Sequence, residues 1–185
     1  FDTEIWVAEG TYLPQDSAGV TPLDNRERTF YFNFDVKVYG GFAGTPGTEG
    51  NLSVQDWQAH PTILSGDFAQ DDPINIMGSD LTFDDCRQEN AYHVVRTQGV
   101  SDDFLMNGFY IQGGNANGSN DSDDSQTLGG GWLNRLDNFS SSLSEPVIQN
   151  CHFSKNSSRF RGGAFYNIVT TGSSLSVEAS FINCI

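Results

Sequence analysis

The chain has 185 residues, 37% of them hydrophobic and 12% aromatic, enough to bury the core of one domain. Nine Lys/Arg against 24 Asp/Glu leave a net charge of -15, a field that repels phosphate backbones and anionic membrane surfaces and so argues against nucleic-acid binding. No apolar run is long enough to cross a membrane, and no helix-period stretch of useful length is present.

Taken in order, apolar β-prone runs are predicted at 5–8, 30–42, 62–64, 92–95, 104–111, 147–153, 164–168 and 175–182. Clusters rich in Gly, Asp, Asn and Pro separate them at 14–19, 44–50, 70–73, 101–103 and 115–125. The best helical candidate is a single turn at 53–59, with Ser53 as its cap and Pro61 as its stop. Alternation assigns Phe109, Ile111, Cys151, Phe153, Ala179 and Phe181 to the interior. It turns Tyr110, His152 and Ser180 the other way.

Two glycine-rich hexapeptides, Gly129 to Asn134 and Gly162 to Asn167, lie 33 residues apart. Related strand segments surround them: Gly108 to Ala116 before the first, Val147 to Asn156 between them, and Leu175 to Cys184 after the second. Such units cannot bury their apolar sides alone and must stack on one another. Two registers are open for the last unit. Phe181 over Phe153 requires a spacing of 28 residues, whereas Asn183-Cys184 over Asn150-Cys151 keeps 33. The first is preferred because it stacks Phe on Phe.

The glycine pairs are expected at tight corners, where backbones approach closely. Asn156 and Asn167 are expected to bond turn backbone as a stability device. On this reading Gly163→Val costs more than Asn156→Ala. Cys151 and Cys184 are expected to form a small apolar stack, with a disulfide between them left open. The expectation is one domain over 1–185, with irregular coils at 1–100 and regular repeats at 101–185. It starts within a strand and stops within a repeat, as a fragment truncated at both ends would.

Phe153-Ser154-Lys155-Asn156 followed by Gly162-Gly163-Ala164-Phe165 resembles the paired F-x-x-N and G-G-A repeats of chlamydial polymorphic outer-membrane proteins. More broadly, the chain is similar to the large secreted right-handed parallel β-helix proteins of bacteria. The segments Glu4 to Tyr12, Val38 to Thr45, Asp56-Trp57, Pro61 to Asp67 and Tyr92 to Val95 follow in the order of their lead-in region. The resemblance covers almost the whole chain. It implies an all-β right-handed parallel β-helix of the pectate-lyase-like superfold, secreted or displayed at the cell surface. It carries no reaction, because that superfold hosts many functions.

A polysaccharide-cleaving enzyme on such a fold needs carboxylates, either to hold Ca²⁺ or to act as an acid/base pair, with an Arg or Lys beside them. The chain offers Asp71-Asp72, Asp84-Asp85 and Asp102-Asp103, with Arg96, Lys155, Arg159 and Arg161. The signature motifs of polygalacturonases and pectate lyases are absent, and no catalytic residue is assigned. The loop at 115–124 gathers hard oxygen donors, so Asp121, Asp123 and Asp124 are the candidate calcium ligands, and calcium the one candidate cofactor. His60, His93 and His152 have no metal-ligand spacing. Asn-x-Ser sequons at Asn51, Asn117, Asn120, Asn138 and Asn156, and the tripeptide Asp16-Ser17-Ala18, are weak glycosylation signals.

The leading functional expectation is a non-catalytic secreted or cell-surface rod, acting as an adhesin, stalk or filament component. Its partner would be a protein or carbohydrate at the cell surface, or another copy of itself. The alternative is a polysaccharide-binding or polysaccharide-cleaving domain.

Overall fold

Short β-branched and aromatic runs broken by Gly, Asn and Asp suit short strands closed by turns. In the computed structural model such strands make up the regular structure. It describes residues 3–15, 25–45, 51–76, 78, 81–118, 125–137, 143–170 and 176–185. The first strands are β1 (Glu4–Ala8), β2 (Gly10–Tyr12), β3 (Phe30–Phe32), β4 (Lys37–Phe42), β5 (Thr62–Ser65) and β6 (Val95–Gln98). Next come β7 (Leu105–Asn107), β8 (Phe109–Gln112), β9 (Asn115–Ala116), β10 (Trp132–Leu136) and β11 (Leu143–Ser144). The last are β12 (Val147–Gln149), β13 (His152–Ser154), β14 (Ser157–Ser158), β15 (Phe165–Val169), β16 (Ser176–Val177) and β17 (Ser180–Ile182). Only short 3-10 turns interrupt them, and no helix among the described residues is long and apolar enough to cross a membrane.

The strands form parallel sheets. The first orders as β1-β4-β7-β12-β17, the second as β2-β5-β8-β13 and the third as β3-β6-β10-β15. Two small pairs, β9 with β14 and β11 with β16, complete the pairing. The chain visits the three main sheets in a fixed rotation, first, second, third, and back to the first. Each return adds a strand in register on the one before.

Registered strands align their side chains into columns. Ile5, Val38, Met106, Ile148 and Phe181 form one such column across the first sheet. Its middle members Met106 and Ile148 are fully buried, whereas Ile5 and Phe181 at its ends are 42% and 49% exposed. Phe181 thus faces the interior as expected but is not buried, because β17 is the outer strand of its sheet. The register also differs from the preferred expectation. Ile148, not Phe153, lies beside Phe181, and the repeat there is 33 residues. Hydrogen bonding decided it: Asn183 Nδ2 donates to Asn150 Oδ1 at 2.6 Å, and Asn150 Nδ2 to Asn107 Oδ1 at 2.9 Å. An amide ladder therefore outweighs a Phe-on-Phe column, although Phe153 and Phe181 still meet edge to face. Ile148→Val should cost about 0.5–1.5 kcal/mol, while Ile5→Val in the same column should change stability by less than about 0.5 kcal/mol. Equal shifts in denaturant midpoints would contradict this column.

The corner after the first sheet explains the asparagines. Gly108 sits there with φ 86°, and its counterparts Asn150 and Asn183 adopt φ 51° and 52°. Asparagine is the side chain that best tolerates this left-handed region. Beyond the second sheet, Asn156 Oδ1 accepts from Gly114 N–H at 3.0 Å and its Nδ2 donates to Ile111 O at 2.8 Å. It is half-buried and bound to backbone, as the sequence suggested. Asn156→Ala should cost about 1–3 kcal/mol in equilibrium unfolding; an unchanged midpoint would remove Asn156 from its structural role. Asn167 instead lies on β15 and accepts from Asn134 Nδ2 at 2.9 Å, part of a polar column with Thr97.

The tightest corner is also not where it was placed. A Cβ on Gly163 would come no closer than 3.1 Å to its nearest neighbour, Asn156 O. On Gly114 or Gly130 it would fall far inside the 3.0 Å that Cβ atoms keep from backbone, against Gly130 O and Ser157 O respectively. The helical turn near 53–59 is a 3-10 turn at Leu52–Val54, capped by Asn51 rather than Ser53. All three cysteines are free; Cys151 is buried in the core and Cys184 packs against it.

Candidate functional site: a polar cleft over a buried ion pair

Where the second sheet turns toward the third, an open cleft of about 190 Å³ is lined by Thr11, Ser65, Asp67, Asp72, Gln112 and Lys155, among others. Its floor is built from the 3-10 turn Asp85–Arg87, which Asp84 caps by accepting from Cys86 N–H at 3.2 Å. That turn drives Arg87 inward until it is fully buried. An Arg in such a place needs a partner for every donor. Arg87 pairs with Asp72 and donates to Leu81 O at 2.6 Å, Lys155 O at 2.8 Å and Gly114 O at 3.2 Å. It thereby ties the acidic loop to two successive strands' corners.

Asp72 also accepts from Asn90 Nδ2 at 3.2 Å. Its side chain is only 5% exposed, and burial raises its pKa above the usual 3.8, opposed by the Arg87 charge; Asp67 adds to the rise. Asp67 itself closes the loop, accepting from Asp71 N–H at 3.3 Å and Asp72 N–H at 3.1 Å. Lys155 and Gln70 line the cleft with positive φ, 52° and 57°. The strain at Lys155 has a structural cause, since its carbonyl is held by Arg87.

Chemically the cleft offers a raised carboxyl, a second carboxylate and an ammonium. Of the residues singled out from sequence, it gathers Asp72 and Lys155. Asp71 is nearby, and its carboxylate could share a cation with those of Asp67 and Glu89. Asp84 serves as a cap, Asp102 and Asp103 lie in an exposed turn, and Arg159 donates to Gly118 O at 3.0 Å. Arg161 reaches the Tyr166 hydroxyl, and Arg96 lies on the third sheet, apart from the cleft. Asp121, Asp123 and Asp124 lie outside the described residues, as do Asp16 to Ala18, Asn120 and Asn138. The sequons at Asn117 and Asn156 have their amides engaged within the protein. The histidines are dispersed: His60 contacts Glu9, His93 contacts Gly129 O, and His152 packs against Tyr110.

Arg87, Asn90 and Asp67 were not found by sequence reasoning. Their one local signal is the cap at Asp84, which starts a turn ending on a basic residue.

No family model matches this chain, and no curated protein or solved structure does. Function is therefore argued from the geometry alone.

Proposed function

We propose that the chain is a right-handed parallel β-helix that works as a non-catalytic surface element, an adhesin, stalk or filament component, secreted or held at the cell surface. The observation that carries the reading is the fixed rotation of the chain through three parallel sheets, each return in register with the last. Such a rod extends by repetition, and loops inserted between strands can vary without disturbing the stack. The resemblance to bacterial secreted β-helix proteins supports the surface location. Antibody labelling of intact source cells should detect the protein; labelling that requires lysis would overturn the placement.

The cleft favours one second reading, a polysaccharide-cleaving site in which Asp72, with its raised pKa, and Lys155 take part in proton transfer. Against it, Asp72 is already bound by Arg87 and Asn90, which is the arrangement of a structural ion pair. Incubation with acidic polysaccharides, with and without Ca²⁺, separates the two. New reducing or unsaturated ends would establish cleavage, and their loss in Asp72→Asn would assign it to this cleft.

A further inference from the structure

The outward face of the third sheet carries two arginines in neighbouring strands. Val95 and Thr97 of β6, and Trp132, Asn134 and Leu136 of β10, are fully buried. Alternation therefore turns Arg96 and Arg135 to the opposite face. The register sets Arg96 beside Leu133 and Arg135 beside Gln98, so the two guanidinium-bearing side chains lie diagonally across one strand pair. Diagonal neighbours of this kind are within reach of each other for long side chains.

Both are half-buried, and the Nε of each is buried without a hydrogen-bond partner. Two carboxylates in the neighbourhood are engaged by amides. Glu27 accepts from Gln126 Nε2 at 3.0 Å, and Asp137 accepts from Gln98 Nε2 at 2.8 Å. Burial and the Arg135 charge both push the pKa of Arg96 down, so the pair is held together at an electrostatic cost. In a chain of net charge -15, two adjacent cations left without a carboxylate are a departure from what the composition would supply.

Beside the pair stands Tyr31, 44% exposed, with Arg96 at 5.6 Å from its ring centroid. Its hydroxyl is fixed by donating to Gln98 Oε1 at 3.1 Å. A flat apolar ring with a pinned hydroxyl, next to two unsatisfied guanidinium forks, suits a ligand with an apolar ring face and a planar anion on its rim.

We propose that Arg96 and Arg135 form a carboxylate clamp on the third sheet, and that its ligand is a uronic-acid-bearing glycan packed against Tyr31. The clamp deepens the adhesin reading by naming a ligand class, and rests on that reading only for where the ligand is met. Binding to purified protein is independent of where the protein is displayed, so the two can fail separately. No bond is made or broken in this step.

Calorimetric titration of the purified chain tests it, with a uronic-acid hexamer as the probe. The neutral hexose hexamer of the same linkage and a poly-glutamate peptide of equal charge serve as controls. At physiological salt, where the repulsion from distant acidic residues is screened within about 8 Å, the uronate should bind and the neutral sugar should not. Arg96→Gln with Arg135→Gln should weaken the uronate at least about tenfold, equivalent to losing one charge-assisted pair. Arg96→Lys with Arg135→Lys keeps the charge but loses the fork. It should also weaken binding, and it decides the matter if the glutamine variant does not fold. Tyr31→Ala should weaken the uronate and leave any binding of the peptide unchanged. No uronate binding by the wild-type chain, or binding that survives both double variants, would overturn the clamp. Peptide binding without uronate binding would overturn the assignment to a glycan.

Discussion

Arg87→Met should destabilise the protein by about 3–5 kcal/mol, the usual cost of leaving one member of a buried ion pair without its partner. The substitution keeps the volume of the side chain but removes every donor. Asp72, Leu81 O, Gly114 O and Lys155 O all lose an acceptor's partner at once, in a place where water does not reach Arg87. Urea unfolding should show a lower midpoint with an unchanged slope. Adding Asp72→Asn should recover part of the loss, since the residual cost is a buried carboxylate without its counter-charge. A midpoint that does not move would mean that the loop from Asp67 to Asn90 hangs free of the sheets, and the cleft would lose its floor.

Gly130→Ala should be at least as damaging, with a cost above about 3 kcal/mol, the upper end of ordinary overpacking. The added methyl would press on the Ser157 carbonyl and meet Gly163 O at 3.0 Å, both backbone atoms of the next layer. Those atoms cannot withdraw without breaking pairing, because Gly130 N–H donates to Gly162 O at 3.1 Å and Ser157 N–H to Gly114 O at 2.9 Å. Gly163→Ala is the control, with more room and no positive φ. Thermal unfolding that ranks Gly163→Ala as the worse of the two would show that the corner is misplaced by one layer.

The contrast between those glycines shows where sequence reasoning ran out. Two identical Gly-Gly pairs are indistinguishable in the chain, yet only Gly130 has a layer pressed against it on both sides. The same limit decided the last register. Phe153 and Phe181 match by residue type, but the amides of Asn107, Asn150 and Asn183 can bond only at the 33-residue spacing. The strands β9, β11 and β14 carried no apolar signal at all. They are polar pairs such as Asn115-Ala116 and Ser157-Ser158, held by contacts like the 2.8 Å bond from Ser157 Oγ to Asn115 Oδ1. Periodicity cannot register a strand whose buried face is polar.

The cleft was the least legible part. Asp72 reads in sequence as one of several acidic pairs in turns, and Arg87 as an ordinary surface cation in a polar stretch. Nothing local marks either as buried. Only folding brings residues 72, 87, 90, 114 and 155 together, because the strands on which the later ones depend are stacked from distant parts of the chain.

By itself the sequence determined the strand-and-turn composition, the inward set of Phe109, Ile111 and Cys151, the role of Asn156 and the strongly acidic surface. These follow from alternation, turn chemistry and charge, which act within a few residues. The tertiary structure alone decided which strands pair and which glycine is crowded. It also decided which acid meets a buried arginine and which two arginines are left without one. Those outcomes depend on the stacking of layers separated by 33 to 42 residues, a distance over which local patterns carry no information about contact.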